Sequence, residues 1–154
     1  MDGRLFRDAM GKFATGITIV AIREEEEVRA MTVNAFMSIS LEPKLIAISI
    51  DKRASMHNRF ELSSKFGISI LADDQKELSM IFAKQMEKDR HVPFTTLDGA
   101  PVINNSLTTL SCQVNDRIDA GDHTIVLAEV HALNLKDGDP LVFYEGNYRG
   151  ILPN

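Results

Sequence analysis

The sequence predicts a mainly β fold with short helices, arranged as an antiparallel barrel that is closed or nearly closed. Three features predict it. Short β-branched and apolar segments recur at brief intervals along the 154 residues, the helical patterns between them are short, and helix and strand do not alternate as a doubly wound fold requires. That many strands would leave exposed edges in an open sheet, and closure removes them.

Leu5, Phe6, Met10 and Phe13 recur at helical spacing and predict a packing helix that ends near Gly16. Ile17 to Ile22 is a β-branched strand. The run Arg23-Glu24-Glu25-Glu26-Glu27 then forms a solvated hairpin tip, because adjacent carboxylates repel one another, and apolar character resumes at Val28. Met31 to Ser40 and Leu45 to Ile50 predict two paired strands joined through a turn at Glu42-Pro43. Ala54 to Leu62 has a helical pattern, and Phe66 to Leu71 is again a strand. Asp74 with Glu77 three residues on predicts a capped helix through Leu78, Ile81 and Phe82. Lys84 to Pro93 predicts a loop, with turn signals at Asp98-Gly99 and Pro101. Two long strands, Leu107 to Val114 and Thr124 to Ala132, flank a connection from Asn115 to His123. Leu141 to Tyr144 and Tyr148 to Leu152 form a last pair about Glu145-Gly146-Asn147.

Length and composition point to one domain, residues 1–154, with an ordinary soluble core: 44% of residues are hydrophobic and 25% charged. A net charge of −5 argues against nucleic-acid binding, which needs a surplus of cations on one face. It also means that an anionic ligand must be held by local positive groups. No run of about twenty apolar residues and no secretory signal is present, and the single Cys112 has no partner for an internal disulfide. The expectation is a cytoplasmic protein with no membrane association.

Several chemistries lack their motif. GKFATG at Gly11 to Gly16 has phosphate-loop spacing, but Ile17-Thr18 follows where Lys-Ser or Lys-Thr is needed. No G-x-G-x-x-G occurs, so a dinucleotide would be bound without a Rossmann unit. The four histidines stand at no recognised zinc spacing, so no metal is expected. What remains is polar character inside apolar strands. Thr32, Asn34, Ser38 and Ser40 share one parity, which describes either a solvated outer face or a row of donors and acceptors for the heteroatom edge of a planar ligand. Ser49-Ile50-Asp51-Lys52-Arg53-Ala54-Ser55 ends a strand with two cations and hydroxyls before a helical pattern, a composition suited to phosphate. Gly121-Asp122-His123 enters a long strand, where the imidazole is either a satisfied turn residue or a group that bonds or stacks on an aromatic cofactor.

Taken together and in order, FRDAMGKFATGITIV, MTVNAFMSISLEPKLIAISIDKRAS, FGISILADDQKELSMIFA, AGDHTIVLAEV and PLVFYEGNYRG resemble the short-chain flavin reductase family on its FMN-binding split barrel. Within that family they resemble the reductase components of two-component phenol and 4-hydroxyphenylacetate monooxygenases. One departure is Glu42-Pro43-Lys44, where many members carry a Pro-Pro pair; it alters a turn.

The resemblance implies an antiparallel split β-barrel of the flavin reductase type, a homodimer, and an NAD(P)H:flavin oxidoreductase. The flavin is FAD or alternatively FMN, and the reductant is NADH or alternatively NADPH. It implies that Thr32, Val33, Asn34, Ala35, Ser38 and Ser40 contact the flavin ring and ribityl chain, that Ser49, Asp51, Lys52 and Ser55 line the ribityl and phosphate end, and that Phe82 lies near the cofactor. Gly121, Asp122 and His123 match the nicotinamide-side motif, with His123 as the candidate catalytic residue. Reduced flavin would reach a partner monooxygenase by diffusion. The alternative is a flavin-binding module on the same barrel that does not turn over.

Overall fold

Seven of the apolar segments join into one antiparallel sheet whose two edge strands are consecutive in the chain. In the computed structural model, which describes residues 1–84 and 92–153, helix α1 (Gly3–Met10) leads to a two-residue strand β1 (Thr15–Gly16). Strands β2 (Thr18–Glu24) and β3 (Glu27–Val33) then form a hairpin. Its tip is only Glu25 and Glu26, because Glu24 and Glu27 stay in the ladder opposite one another. There follow β4 (Phe36–Ser40), β5 (Leu45–Asp51), β6 (Lys65–Ile70), helix α2 (Lys76–Phe82), β7 (Phe94–Leu97) and β8 (Ala100–Ile103). The chain closes with β9 (Thr108–Ala120), β10 (His123–Leu135), β11 (Val142–Tyr144) and β12 (Asn147–Arg149).

The sheet order is β3-β2-β6-β9-β10-β5-β4. Only Asn34 and Ala35 separate β3 from β4, so the sheet must curl until its edges approach at those residues. Among the described residues β3 and β4 do not pair, which leaves a seam: the barrel is split, not closed. Inside it pack Val20, Ile48, Phe60, Phe66, Ile68, Cys112 and Val126, each at most 1% exposed. A second apolar cluster, including Ile17, Leu71, Leu78, Ile81 and Ile103, fills the space beneath α2 and β8. Gly67 permits the crossing of β6 and β8, since a Cβ there would lie 1.8 Å from the Pro101 carbonyl oxygen.

Several sequence expectations are corrected. The N-terminal helix stops at Met10 and buries no residue, so its apolar side faces a groove and not the core. The segment from Met31 to Ser40 is two strands, broken at the seam. A bulge between Ser38 and Ser40 breaks the shared parity further. Ala54 to Leu62 contains a single 3-10 turn, His57–Arg59, and its helical pattern reflects two buried anchors, Met56 and Phe60, four residues apart. No side-chain hydrogen bond caps α2 at its N-cap Gln75. In place of the expected Asp74–Glu77 box, Gln75 Oε1 accepts from the Ala72 backbone N–H at 2.9 Å and closes the 3-10 turn Asp73–Gln75 that leads into the helix. Residues 115–120 continue β9, and the β9–β10 turn is only Gly121-Asp122, with Gly121 at φ +65°. The turn signals at Asp98-Gly99 belong to an unforeseen β7–β8 hairpin, and β12 ends at Arg149. Residues 85–91 of the expected loop lie outside the described residues. Among those described, no helix is long and apolar enough to cross a membrane.

Candidate functional site

At the seam the backbone of Asn34 and Ala35 opens onto a groove of about 920 Å³, within the range of small-molecule sites. Phe6, Met10 and Phe13 form one wall and Phe143 another. Asp2 caps α1 through the Arg4 N–H at 3.0 Å. A Lys12–Glu145 ion pair at 2.6 Å ties the end of α1 to the β11–β12 hairpin, and so holds the two walls together. A smaller cavity of about 130 Å³ shares Asn34 and Phe143 with the groove and adds Thr32, Ser79 and Tyr148. Thr32 Oγ1 donates to the Ser79 carbonyl at 2.7 Å, and Ser79 and Tyr148 share a hydroxyl hydrogen bond at 2.9 Å, which fixes α2 against β3 and β12.

From the seam, a polar strip continues along the outer face of β5 and β10. The Ser49 N–H donates to the Ala35 carbonyl at 3.1 Å. Ser49 stands opposite Ile125, and two residues further Asp51 stands opposite His123. Residues two apart face the same side, so Ser49 and Asp51, with Ile125 and His123, share a face at a step of roughly 7 Å.

At the far end of this strip the side chains are fixed by charge. His123 Nδ1 donates to Asp122 Oδ1 at 2.8 Å; a carboxylate oxygen only accepts, so Nδ1 carries a proton and Nε2 is the ring nitrogen turned elsewhere. That bond holds the Asp122 carboxyl below its usual range. The Arg53 side chain and then its backbone N–H bond the Asp51 carboxylate and hold it down at about 2. Lys52 donates its N–H to the Asp122 carbonyl at 2.9 Å, and its ammonium lies 3.3 Å from Asp119. That last pair is exposed and screened by salt, so an incoming phosphate can compete for Lys52.

The expected site residues thus fall into groups. Thr32, Asn34 and Ala35 meet at the seam. Ser49, Asp51, Lys52, Gly121, Asp122 and His123 lie along the strip and its terminal turn, and Ser55 is exposed on the loop just after it. The Val33 side chain is buried in the core, while its carbonyl accepts from Thr18 Oγ1 at 2.7 Å. Phe82 packs on Phe94, their ring centroids 5.9 Å apart. Ser38 and Ser40 pair with Ile46 and Leu45, at the other end of β5, roughly 16 Å or more from the level of Asp51. The aromatic wall of Phe6, Phe13 and Phe143 and the Ser79–Tyr148 pair were not anticipated; they come from chain segments that only folding brings together. Cys112 is no rival nucleophile, since burial pushes its thiol up to about 12.

The model of the flavin reductase like domain matches residues 10–152. The chain belongs to that family. An NADH-dependent flavin reductase from Rhodococcus is 42% identical over 148 residues, covering 94% of this chain and 84% of that protein. The reductase component of 4-hydroxyphenylacetate 3-monooxygenase from Thermus thermophilus is 35% identical over 148 residues, covering 96% of this chain and 95% of that one. The solved structure of the flavin reductase PheA2 superposes on this family member with a TM-score of 0.96 at 47% identity, covering 99% of this chain and 100% of the other.

Proposed function

We propose that this flavin reductase family member is an NADH-dependent flavin reductase, acting as a single domain over residues 1–154. The observation that carries the reading is the unbroken strip from the Asn34–Ala35 seam through Ser49 and Asp51 to His123, beside an aromatic-walled groove. Its residues fit a flavin. The groove offers apolar rings for a flat heterocycle and the Asn34 amide for its polar edge, while Lys52 and the Ser55 hydroxyl suit a phosphate. When both cofactors are bound they supply the chemistry, hydride transfer from nicotinamide to flavin. The protein's part is alignment. Asp122 orients the His123 ring at the nicotinamide side, and the Lys12–Glu145 pair holds the two walls that exclude water. No acid–base pair is required of the chain.

FAD is the proposed flavin, with FMN the alternative, and reduced flavin is proposed to pass by diffusion to a monooxygenase. A cytoplasmic homodimer fits the exposed apolar side chains of α1 (Leu5, Phe6, Met10) and of edge strand β4 (Met37, Ile39), which are large for an uncovered surface. Sedimentation at micromolar concentration is expected to give twice the chain mass. The functional reading is tested by adding NADH anaerobically to the protein with FAD, and in parallel with FMN. Bleaching of the oxidised flavin band is expected; its persistence at saturating NADH would leave only a flavin-binding module.

A further inference from the structure

The segment presenting Lys52 and Ser55 has little regular structure, yet it is tied down along its length. The Asp51 carboxylate accepts from the Arg53 N–H at 2.8 Å. Met56 and Phe60 root the segment in the core at 3% and 0% exposure. His57 Nε2 shares a hydrogen bond of 2.7 Å with Thr124 Oγ1, next to His123. At the end of the segment Arg59 turns back. Its terminal nitrogen donates to the Ser55 carbonyl at 2.5 Å, while its Nε is paired with the Glu24 carboxylate at the end of β2. Glu24 is itself held from β3 by Arg29 Nε at 3.3 Å. A planar guanidinium bound through two different nitrogens to two fixed acceptors has one orientation, and a single ammonium could not hold both acceptors in that way. None of these groups lines the groove.

We propose that Arg59, anchored by Glu24, is a positioning residue for the phosphate end of the flavin site: it fixes the Ser55 carbonyl, and with it the backbone from Lys52 to Ser55 that meets the phosphate. This inference rests on the flavin reading above. Two simpler accounts make different claims. If Arg59 acted only through its charge, removing Glu24 would leave that charge without its carboxylate partner and tighten phosphate binding. If the pair only braced the fold, its loss would weaken every flavin alike.

The test is equilibrium flavin fluorescence quenching with riboflavin, FMN and FAD, which share a ring and differ in phosphate. For Glu24→Ala and Arg59→Ala, affinity for FMN and FAD is expected to fall about tenfold, with riboflavin unchanged within about twofold. Arg59→Lys keeps the charge but not the double contact, and is expected to behave like Arg59→Ala. Tighter FMN binding by Glu24→Ala, equal losses for all three ligands, or wild-type FMN affinity in Arg59→Lys would each overturn the proposal. An unsubstituted chain that bound none of the three would remove the flavin reading itself, and this inference with it.

Discussion

Along β5 and β10 the inward side chains Ile46, Ile48, Ile50, Thr124, Val126 and Ala128 are each no more than 6% exposed, while the outward Ser49, Asp51, Ile125 and His123 remain partly accessible. The same two strands therefore serve two purposes. The period of two sends every second residue into the barrel and leaves Ser49, Asp51, Ile125 and His123 on the opposite face, along the candidate site. Stability resides on one face and chemistry on the other, so a substitution on either face should move one property and spare the other.

The largest expected effect is on the core. Phe66 is fully buried and meets Phe60 edge-on, with centroids 5.3 Å apart. Phe66→Ala is expected to lower unfolding free energy in a denaturant titration by about 3–5 kcal/mol, with flavin affinity of the folded protein unchanged. Gly67→Ala would drive a Cβ into the Pro101 carbonyl, 1.8 Å away, and is expected to cost about 1–3 kcal/mol by the same measurement. Core variants that lost flavin affinity while still folded would break the separation of the two faces.

On the outer face, Lys52→Ala is expected to weaken FMN and FAD about tenfold and to flatten the salt dependence of binding, because its contribution is a charge-assisted contact. Thermal stability should not move, since its ion pair with Asp119 is exposed. The smallest effect concerns pH. Arg53 holds Asp51 at about 2, below its ordinary value of 3.8. A carboxylate depressed in the folded state stabilises above its unfolded value and loses that contribution only as pH falls through the folded one. The part of the stability difference between wild type and Asp51→Asn that comes from the Arg53 contact should therefore persist down to about pH 5 and be lost between about 4 and 2. A difference that did not shrink between about 4 and 2 would show that Arg53 does not hold Asp51 in solution.

The barrel was legible where a strand is buried largely on both faces and reads as a near-continuous apolar run, as in Ile17 to Ile22, Leu45 to Ile50 and Phe66 to Leu71. It was not legible at residues 115–120, which extend the β9–β10 hairpin beyond the core, where nearly every side chain meets water and alternation carries no signal. The seam at Asn34 was missed because closure of the sheet sets it, and nothing local marks it. Met56 and Phe60 mimicked a helix because a loop with two anchors four residues apart shows the same spacing. At the site, the polar residues announced themselves by type. The aromatic wall did not, since Phe6, Phe13 and Phe143 lie far apart in the chain, and on α1 the apolar spacing suggested core packing. The Arg59–Glu24 pair was not legible: Glu24 read only as part of the solvated tip, Arg59 carried no motif, and only the folded chain brings them together.

The account depends on a division of labour along the outer strip, with the seam serving the flavin and the Gly121–His123 turn serving the nicotinamide. Steady-state kinetics of His123→Ala, with flavin affinity measured alongside, test that division most directly. NADH use is expected to fall about tenfold or more while flavin affinity stays within about twofold of wild type. Equal losses in both would contradict the assignment.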